Sequence, residues 1–319
     1  MKERIGALSR VTHSPQVIGA PGGFAGLYRL EGYRQPVLVS STDGVGTKLR
    51  IASLLGHHES LGIDLVNLNV NDILTRGAKP LFFLDYMSMG DLDRQRTDSL
   101  LRGMAWACRE AGCSLIGGET AQMPGFYTKD SFGLAGFVVG VVELDAMIDG
   151  SRTAEGDVLV GMPSSGLHTN GFSLVRKVFD IDGDPAVLYK RYDELNHTLG
   201  EALLTPHRCY SPLVEPVLPM INAMAHITGG GLMENLPRVL PAGLCARLEA
   251  EAWEVPPIFG IVQSEGNIDD DEMFRVFNMG LGMVAACAPD DVPAVVAATE
   301  GRVVGKVVGQ SGEARVTIE

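Results

Sequence analysis

The chain has 319 residues, 45% of them hydrophobic and 20% charged, with a formal net charge of −13. That is ample apolar material for a buried core and more length than one typical domain, so two domains are expected. The acidic balance argues against a nucleic-acid or anionic-membrane surface, since binders of phosphate polymers carry a basic stripe, yet it admits a small anionic substrate if a metal ion or backbone donors supply the positive field.

No apolar run approaches membrane-spanning length, and the opening MKERIGALSRV lacks the apolar core of a secretory signal. Cys108, Cys113, Cys209, Cys245 and Cys287 are scattered without a C-x-x-C pair, so reduced thiols in a soluble, cytoplasmic protein are expected, with neither disulfides nor zinc.

In chain order, PVLVS at 36–40 reads as a strand running into a glycine-rich turn, and DLVNLNVNDILTR at 64–76 has helical apolar spacing with Gly77 placed to stop it. Residues 98–111 form an amphipathic helix, with Leu101, Met104, Ala105 and Cys108 on one stripe and Gly112 after its end. CSLI at 113–116 and GFVVGVV at 136–142 read as strands. The turn-rich LDAMIDGSRTAEGD then separates them from VLVG at 158–161, placing a domain boundary near Gly150 and giving domains 1–149 and 150–319. The second half continues with helices over about 171–179 and from Glu201, a glycine turn at 229–231, and a strand, helix and strand at 280–287, 292–299 and 302–309. This alternation is that of a mixed α/β protein.

Several turns carry chemistry. Asp43-Gly-Val-Gly-Thr-Lys48 follows a strand, so its glycines allow close backbone approach beside one carboxylate and one ammonium, a combination suited to a metal-bridged phosphate. It matches neither the Walker A nor the dinucleotide fingerprint, and spacing alone favours a DG-type hairpin turn with a surface lysine. Asp72, after Asn71, sits inside an apolar helix and needs compensation, either from Arg76 at i+4 or from a metal. Glu119 follows a strand in IGGET, and Asp43, Asp72 and Glu119 together make an oxygen set of the kind magnesium uses when it bridges to nucleotide phosphates.

Ser164-Ser-Gly-Leu-His-Thr-Asn-Gly171 joins a strand to a helix and offers either a phosphate cradle or a helix cap through Thr169 or Asn170. His226-Ile-Thr-Gly-Gly-Gly231 repeats the pattern with more glycine than a cap requires, which suggests close ligand approach. His168 and His226 adjoin these turns as candidates either for proton transfer or for simple hydrogen bonding. The acidic run Asp269 to Glu272 reads as the start of a helix.

The blocks STDGVGTKL, GIDLVNLNVNDILTRGAKPLFFLDY, GCSLIGGETAQMPGFY, GLHTNGFSLVRKV, AHITGGGLMENLPRVLP and MFRVFNMGLGM, in that order, resemble the phosphoribosylformylglycinamidine cyclo-ligase (aminoimidazole ribonucleotide synthetase) family from about Gly19 to the C-terminus. The resemblance implies a homodimer whose N-terminal sheets pair into a shared barrel, each followed by an α/β C-terminal domain. It also implies ATP-dependent, magnesium-assisted ring closure of formylglycinamidine ribonucleotide to 5-aminoimidazole ribonucleotide, through an iminophosphate, with release of ADP and phosphate. Carried onto this chain, it implies metal contacts from Asp43, Asp72 and Glu119, and ATP or phosphate contacts from Gly44, Gly46, Thr47, Lys48, Asn71, Gly117, Gly118 and Thr120. It further implies substrate contacts from Ser165, Gly166, His168, Thr169, Asn170, Thr228, Gly229, Gly230 and Gly231, with Lys48, His168 and His226 as catalytic candidates.

Two departures from the family pattern stand out. Family chains usually begin with a further tyrosine- and AGVD-containing segment followed by a lysine, where this chain has Gly6, and Gln122 stands where glutamate is usual. Other readings are a related ATP user, such as a selenophosphate synthetase-like, thiamine-phosphate kinase-like or hydrogenase-maturation protein, and a non-catalytic nucleotide-binding paralogue.

Overall fold

The computed structural model describes residues 2–19, 23–128 and 131–319. They divide into two compact units, Met1–Leu74 with Ala78–Asp145, and Thr75–Gly77 with Ala146–Glu319.

In the first unit, α1 (Lys2–Arg10) is followed by a two-residue pair, β1 (Val17–Ile18) and β2 (Leu27–Tyr28), then β3 (Pro36–Gly44), α2 (Lys48–Leu55), α3 (Glu59–Leu74), β4 (Lys79–Met89), α4 (Arg94–Glu110), β5 (Ser114–Gln122) and β6 (Phe132–Glu143). The long strands form one sheet ordered β3-β6-β4-β5, antiparallel except where α4 crosses over between the parallel β4 and β5.

Both helices are specified locally and by packing. Asp93 caps α4 by accepting the N–H groups of Gln95 and Arg96. Gly62 of α3 and Gly103 of α4 let the two backbones cross closely, since a Cβ on either would collide with a carbonyl oxygen of the other helix. Cross-strand partners share a sheet face. Phe83, Met87 and Val138 are buried on the face that carries α3, whereas Leu38, Tyr86 and Phe137 on the opposite face are 62%, 44% and 38% exposed in the single chain.

The predicted strands at 36–40 and 113–116 are longer than their apolar runs suggest. The first extends through Asp43 and Gly44, and the second through Gly117, Gly118 and Glu119 to Gln122. The second extension has a packing reason: Gly118 pairs with Asp85, and a Cβ there would strike the Asp85 carboxylate. Glycine in this strand therefore makes room for a neighbour's acid.

In the second unit, β7 (Val158–Pro163), α5 (Phe172–Val178), α6 (Leu199–Leu203), α7 (Ser211–Val214) and β8 (Ile221–His226) precede α8 (Gly231–Asn235), β9 (Leu244–Leu248), α9 (Pro257–Gly266), α10 (Asp270–Val276), β10 (Leu281–Cys287), α11 (Val292–Thr299), β11 (Arg302–Gly309) and β12 (Val316–Ile318). They build a six-stranded sheet ordered β12-β9-β11-β7-β10-β8, antiparallel apart from the β9–β12 pair. Its core brings Leu159, Val284 and Val307 against Leu232, Leu236 and Trp253. Buried on both faces, β10 reads as a continuous apolar run. The acidic run does open a helix, α10. Among the described residues no helix is long and apolar enough to cross a membrane.

Candidate functional site

Chemistry-bearing residues gather in each unit separately. In the first unit, Asp43, Gly136, Asp85 and Gly118 form a continuous row across all four strands of the sheet. Gly136 leaves space that a Cβ would contest with the Phe83 ring and the Asn69 amide, and that amide donates to the backbone carbonyls of Leu65 at 2.8 Å and Asp43 at 3.4 Å. Ser41, two residues before Asp43 and on the same face, donates to Asp72 Oδ2 at 2.8 Å. Strand β3 and helix α3 thus carry Asp43 and Asp72 on the packed side of the sheet, with Asn71 buried on the same helix.

Asp85 went unnoticed as a candidate in the sequence, although an acid within an apolar strand is a signal of the same kind as Asp72 within an apolar helix. Burial is the main cause that lifts its carboxyl to about 7, and the nearby Glu119 charge adds to the shift. A carboxyl that titrates near neutrality in a row with Asp43 can hold or release a proton at working pH.

Two expectations are corrected here. Lys48, expected to project from the turn toward a phosphate, opens α2 fully buried, with Nζ 2.8 Å from Asp64 Oδ2. The chain enters the helix at this residue, and α3 presents a buried acid that the ammonium compensates; desolvation lowers the lysine pKa against the opposing pull of Asp64. Glu119 does not sit at a strand end beside Asp43 and Asp72: it lies within β5, exposed, paired with Tyr86 on the opposite face of the sheet. Gln122 shares the face of Gly118 and Thr120, so it and Glu119 point away from each other.

Gly46 has φ 56°, and Thr47 precedes α2 at the cap position without a side-chain hydrogen bond to the helix amides. The hard oxygen donors of Asp43 and Asp72 suit magnesium, which commonly takes one or two carboxylates and completes its shell with waters and phosphate oxygens. On this criterion the residues fit the ion, with Glu119 outside the set within this unit.

In the second unit, the loop after β7 and the loop after β8 meet: a Cβ on Gly229 would lie 3.4 Å from Asn170 Oδ1. His168 adopts a left-handed φ of 58°, unusual for a non-glycine residue, and its Nε2 accepts the Ser165 N–H at 3.2 Å. Asn278 ties the loop down, donating to the Gly166 carbonyl at 2.9 Å while its Oδ1 accepts from Ser164 Oγ and the Gly280 N–H. Neither Thr169 nor Asn170 caps α5; Gly171 does so, with φ 78° and no side-chain bond.

The glycines of the second loop have reasons other than a ligand. Gly230 and Gly231 have φ 93° and 59°, and a Cβ on Gly231 would strike the Phe274 carbonyl of α10. Only Gly229 is exposed, along with Ser165 in the first loop; Thr228 is half-buried and shares a 3.4 Å hydrogen bond with Asn235.

The structure brings His168 and His226 into one buried cluster through a third residue, His207, from the loop between α6 and α7. The His207 and His226 Nε2 atoms are 3.0 Å apart, and the rings of His168 and His207 stack at 3.8 Å between centroids with 19° between planes. A β10 glycine makes room, because a Cβ on Gly282 would overlap the His168 ring and the Tyr210 hydroxyl.

The described architecture belongs to a recognisable class. Family models described as "AIR synthase related protein, N-terminal domain" and "AIR synthase related protein, C-terminal domain" match residues 22–142 and 154–318. In fold, the chain is similar to thiamine-monophosphate kinase from Stenotrophomonas maltophilia, with TM-score 0.71, 16% identity and coverage of 99% of this chain and 95% of that one. It is likewise similar to hydrogenase maturation protein HypE in complex with ATP, with TM-score 0.69, 19% identity and coverage of 98% and 88%.

Curated relatives are far nearer in sequence. The phosphoribosylformylglycinamidine cyclo-ligase of Caldicellulosiruptor bescii is 52% identical over 90% of this chain and 85% of its own length, and that of Methylobacillus flagellatus is 46% identical over 99% and 93%. The chain belongs to the phosphoribosylformylglycinamidine cyclo-ligase family.

Proposed function

We propose that this protein is a phosphoribosylformylglycinamidine cyclo-ligase. It closes the imidazole ring of 5-aminoimidazole ribonucleotide from formylglycinamidine ribonucleotide and converts ATP to ADP and phosphate. The observation that carries the reading is identity of about half the residues across nearly the whole chain with enzymes of that name. The kinase and hydrogenase-maturation readings rest on a shared fold at under a fifth of residues identical, which fixes architecture and leaves chemistry to the site.

The chemical problem is a poor leaving group. Transfer of the γ-phosphoryl group to the formyl oxygen gives an iminophosphate; the neighbouring nitrogen attacks that carbon, the C–O bond breaks with loss of phosphate, and the attacking nitrogen gives up a proton. The protein's contribution is positioning and charge neutralisation. Asp43 and Asp72 would hold magnesium, which when bound supplies positive charge at the phosphate oxygens. The Gly44 to Thr47 turn and Gly117, Gly118 and Thr120 lie along the nucleotide, and Asn71 and buried Asp85 support the acids. Lys48 acts from within the fold by fixing α2 on α3.

In the second unit, Ser165, Gly166, Thr169, Asn170, Thr228 and the 229–231 glycines form the ribonucleotide loops, and His226, within the buried cluster with His168, accepts the proton from the ring-closing nitrogen. The exposed apolar face bearing Leu38, Tyr86 and Phe137 pairs with the same face of a second copy, which makes the working form a homodimer with a shared barrel. Incubation of the purified protein with formylglycinamidine ribonucleotide, ATP and magnesium, followed by quantitation of aminoimidazole ribonucleotide, tests the assignment. ATP binding without product would overturn it in favour of a non-catalytic nucleotide-binding protein.

A further inference from the structure

The geometry points to His207 as the residue that sets which nitrogen of His226 carries the proton, an inference that rests on the proton-accepting role proposed for His226. His207 is 1% exposed and reaches the cluster from a loop that neither glycine-rich turn contains. Its Nε2 lies 3.0 Å from His226 Nε2. Two imidazole nitrogens at that distance are compatible only when they share one proton: two lone pairs repel, and two N–H groups collide. The tautomers of the two rings are therefore tied to each other.

Three further contacts fix the His207 ring. Its Nδ1 is 3.5 Å from Thr169 Oγ1, its face stacks on His168, and the preceding Pro206 carbonyl accepts the Ser165 hydroxyl at 2.5 Å. All three partners, Ser165, His168 and Thr169, belong to the first ribonucleotide loop, so the His207 segment links that loop to His226 in the second. The stacking also argues against the three rings closing on one cation: a metal lies in the plane of each imidazole it binds, and nearly parallel rings 3.8 Å apart cannot share one without rotating.

Two neighbouring polar groups, Tyr210 and Arg208, are engaged elsewhere. Tyr210 lies edge-on to His168 and donates its hydroxyl to the Pro163 carbonyl, and burial raises its pKa so that it stays neutral. Arg208 pairs with Glu300.

The arrangement that serves ring closure has His207 Nδ1–H directed at Thr169 and His207 Nε2 accepting from His226 Nε2–H. His226 is thereby held in the Nε2–H tautomer, and Nδ1 is its basic nitrogen. In this scheme His207 is a positioning residue that acts through His226.

Nitrogen-15 NMR of histidine-labelled full-length protein, without substrates, reads the tautomers directly. The expected result is His226 as the Nε2–H form in the native sequence and as a mixture in His207→Phe, which keeps a ring and loses the acceptor. His207→Gln, whose side-chain carbonyl reaches the same place, restores the Nε2–H form and keeps the inference testable if the Phe variant does not fold. In the cyclisation assay His207→Phe should lower kcat at least about tenfold with the KM for ATP within twofold, and Gln should recover most of the loss. An Nδ1–H form of His226 in the native protein, or a tautomer unchanged in both variants, overturns the inference. Absence of product from the native protein with the tautomer pattern intact would instead overturn the proposed reaction.

Discussion

Asp85→Asn isolates the cost of a buried acid. Burial moves this carboxyl from 3.8 to about 7, so between those values the folded chain keeps a proton that the unfolded chain has already lost. The unfolded state then binds fewer protons, and folding stability falls as pH rises through that window and levels off above it. A shift of about three units at about 1.4 kcal/mol each sets the full loss at about 4 kcal/mol. Asparagine mimics the neutral acid and has nothing to ionise. Relative to the native protein, its stability should therefore climb by up to about 4 kcal/mol between pH 4 and pH 8, on top of any constant offset. Urea titrations of both proteins at pH 4, 5, 6, 7 and 8, read at the transition of the first unit, measure the difference, and titrations common to both cancel. A difference that is flat with pH, or that favours asparagine more at low pH, would refute the assignment of a protonated, desolvated Asp85.

Four other outcomes follow from particular contacts. Removing one member of the fully buried Lys48–Asp64 pair, by Lys48→Met or Asp64→Asn, should cost about 3–5 kcal/mol in denaturant unfolding, and the joint Lys48→Met, Asp64→Leu change should recover much of it; additive losses would deny the coupling. Gly231→Ala meets both a left-handed φ and the Phe274 carbonyl and should destabilise by about 1–3 kcal/mol, whereas Gly229→Ala should leave the melting temperature within a degree or two. Asp72→Asn keeps an oxygen for Ser41 and should lose ATP turnover with nearly unchanged thermal unfolding; an active variant would remove Asp72 from the magnesium set. Phe137→Asp places a charge on the exposed apolar sheet face and should give a monomer in sedimentation velocity, where a persistent dimer would move the interface elsewhere.

Legibility of the fold tracked how local its causes are. The α3 and α4 helices show their apolar stripes and stop signals in sequence, and the Asp93 cap only adds a turn to α4. Strand β5 reads short because Gly117 and Gly118 look like turn residues, and nothing in that segment reports that Asp85, more than thirty residues earlier, requires the missing Cβ. Strand β4 lies in the block that carried family likeness, but its period is obscured: both faces carry apolar residues, although only the Phe83–Met87 face is buried and Phe82, Leu84 and Tyr86 on the other are partly exposed. The inward turn of Lys48 was equally hidden, because its partner Asp64 opens a stretch whose apolar spacing gives no sign of which turn faces α2.

The site shows the same division between composition and geometry. Glycine density suggested ligand approach at 229–231, yet two of those glycines answer to backbone conformation and to α10, and only Gly229 keeps an exposed backbone. Histidine gave the reverse error. His168 and His226 stood out beside recognisable turns, while His207, in the undistinguished segment PHRCY, is the residue that joins them. A turn motif marks where backbone can approach a ligand, but protonation of a buried imidazole is decided by whatever ring or hydroxyl the tertiary fold sets against it. The coupling proposed for His226 therefore rests on a loop outside the segments that identify the family, whose contribution only the three-dimensional contacts of Ser165, Thr169 and His226 disclose.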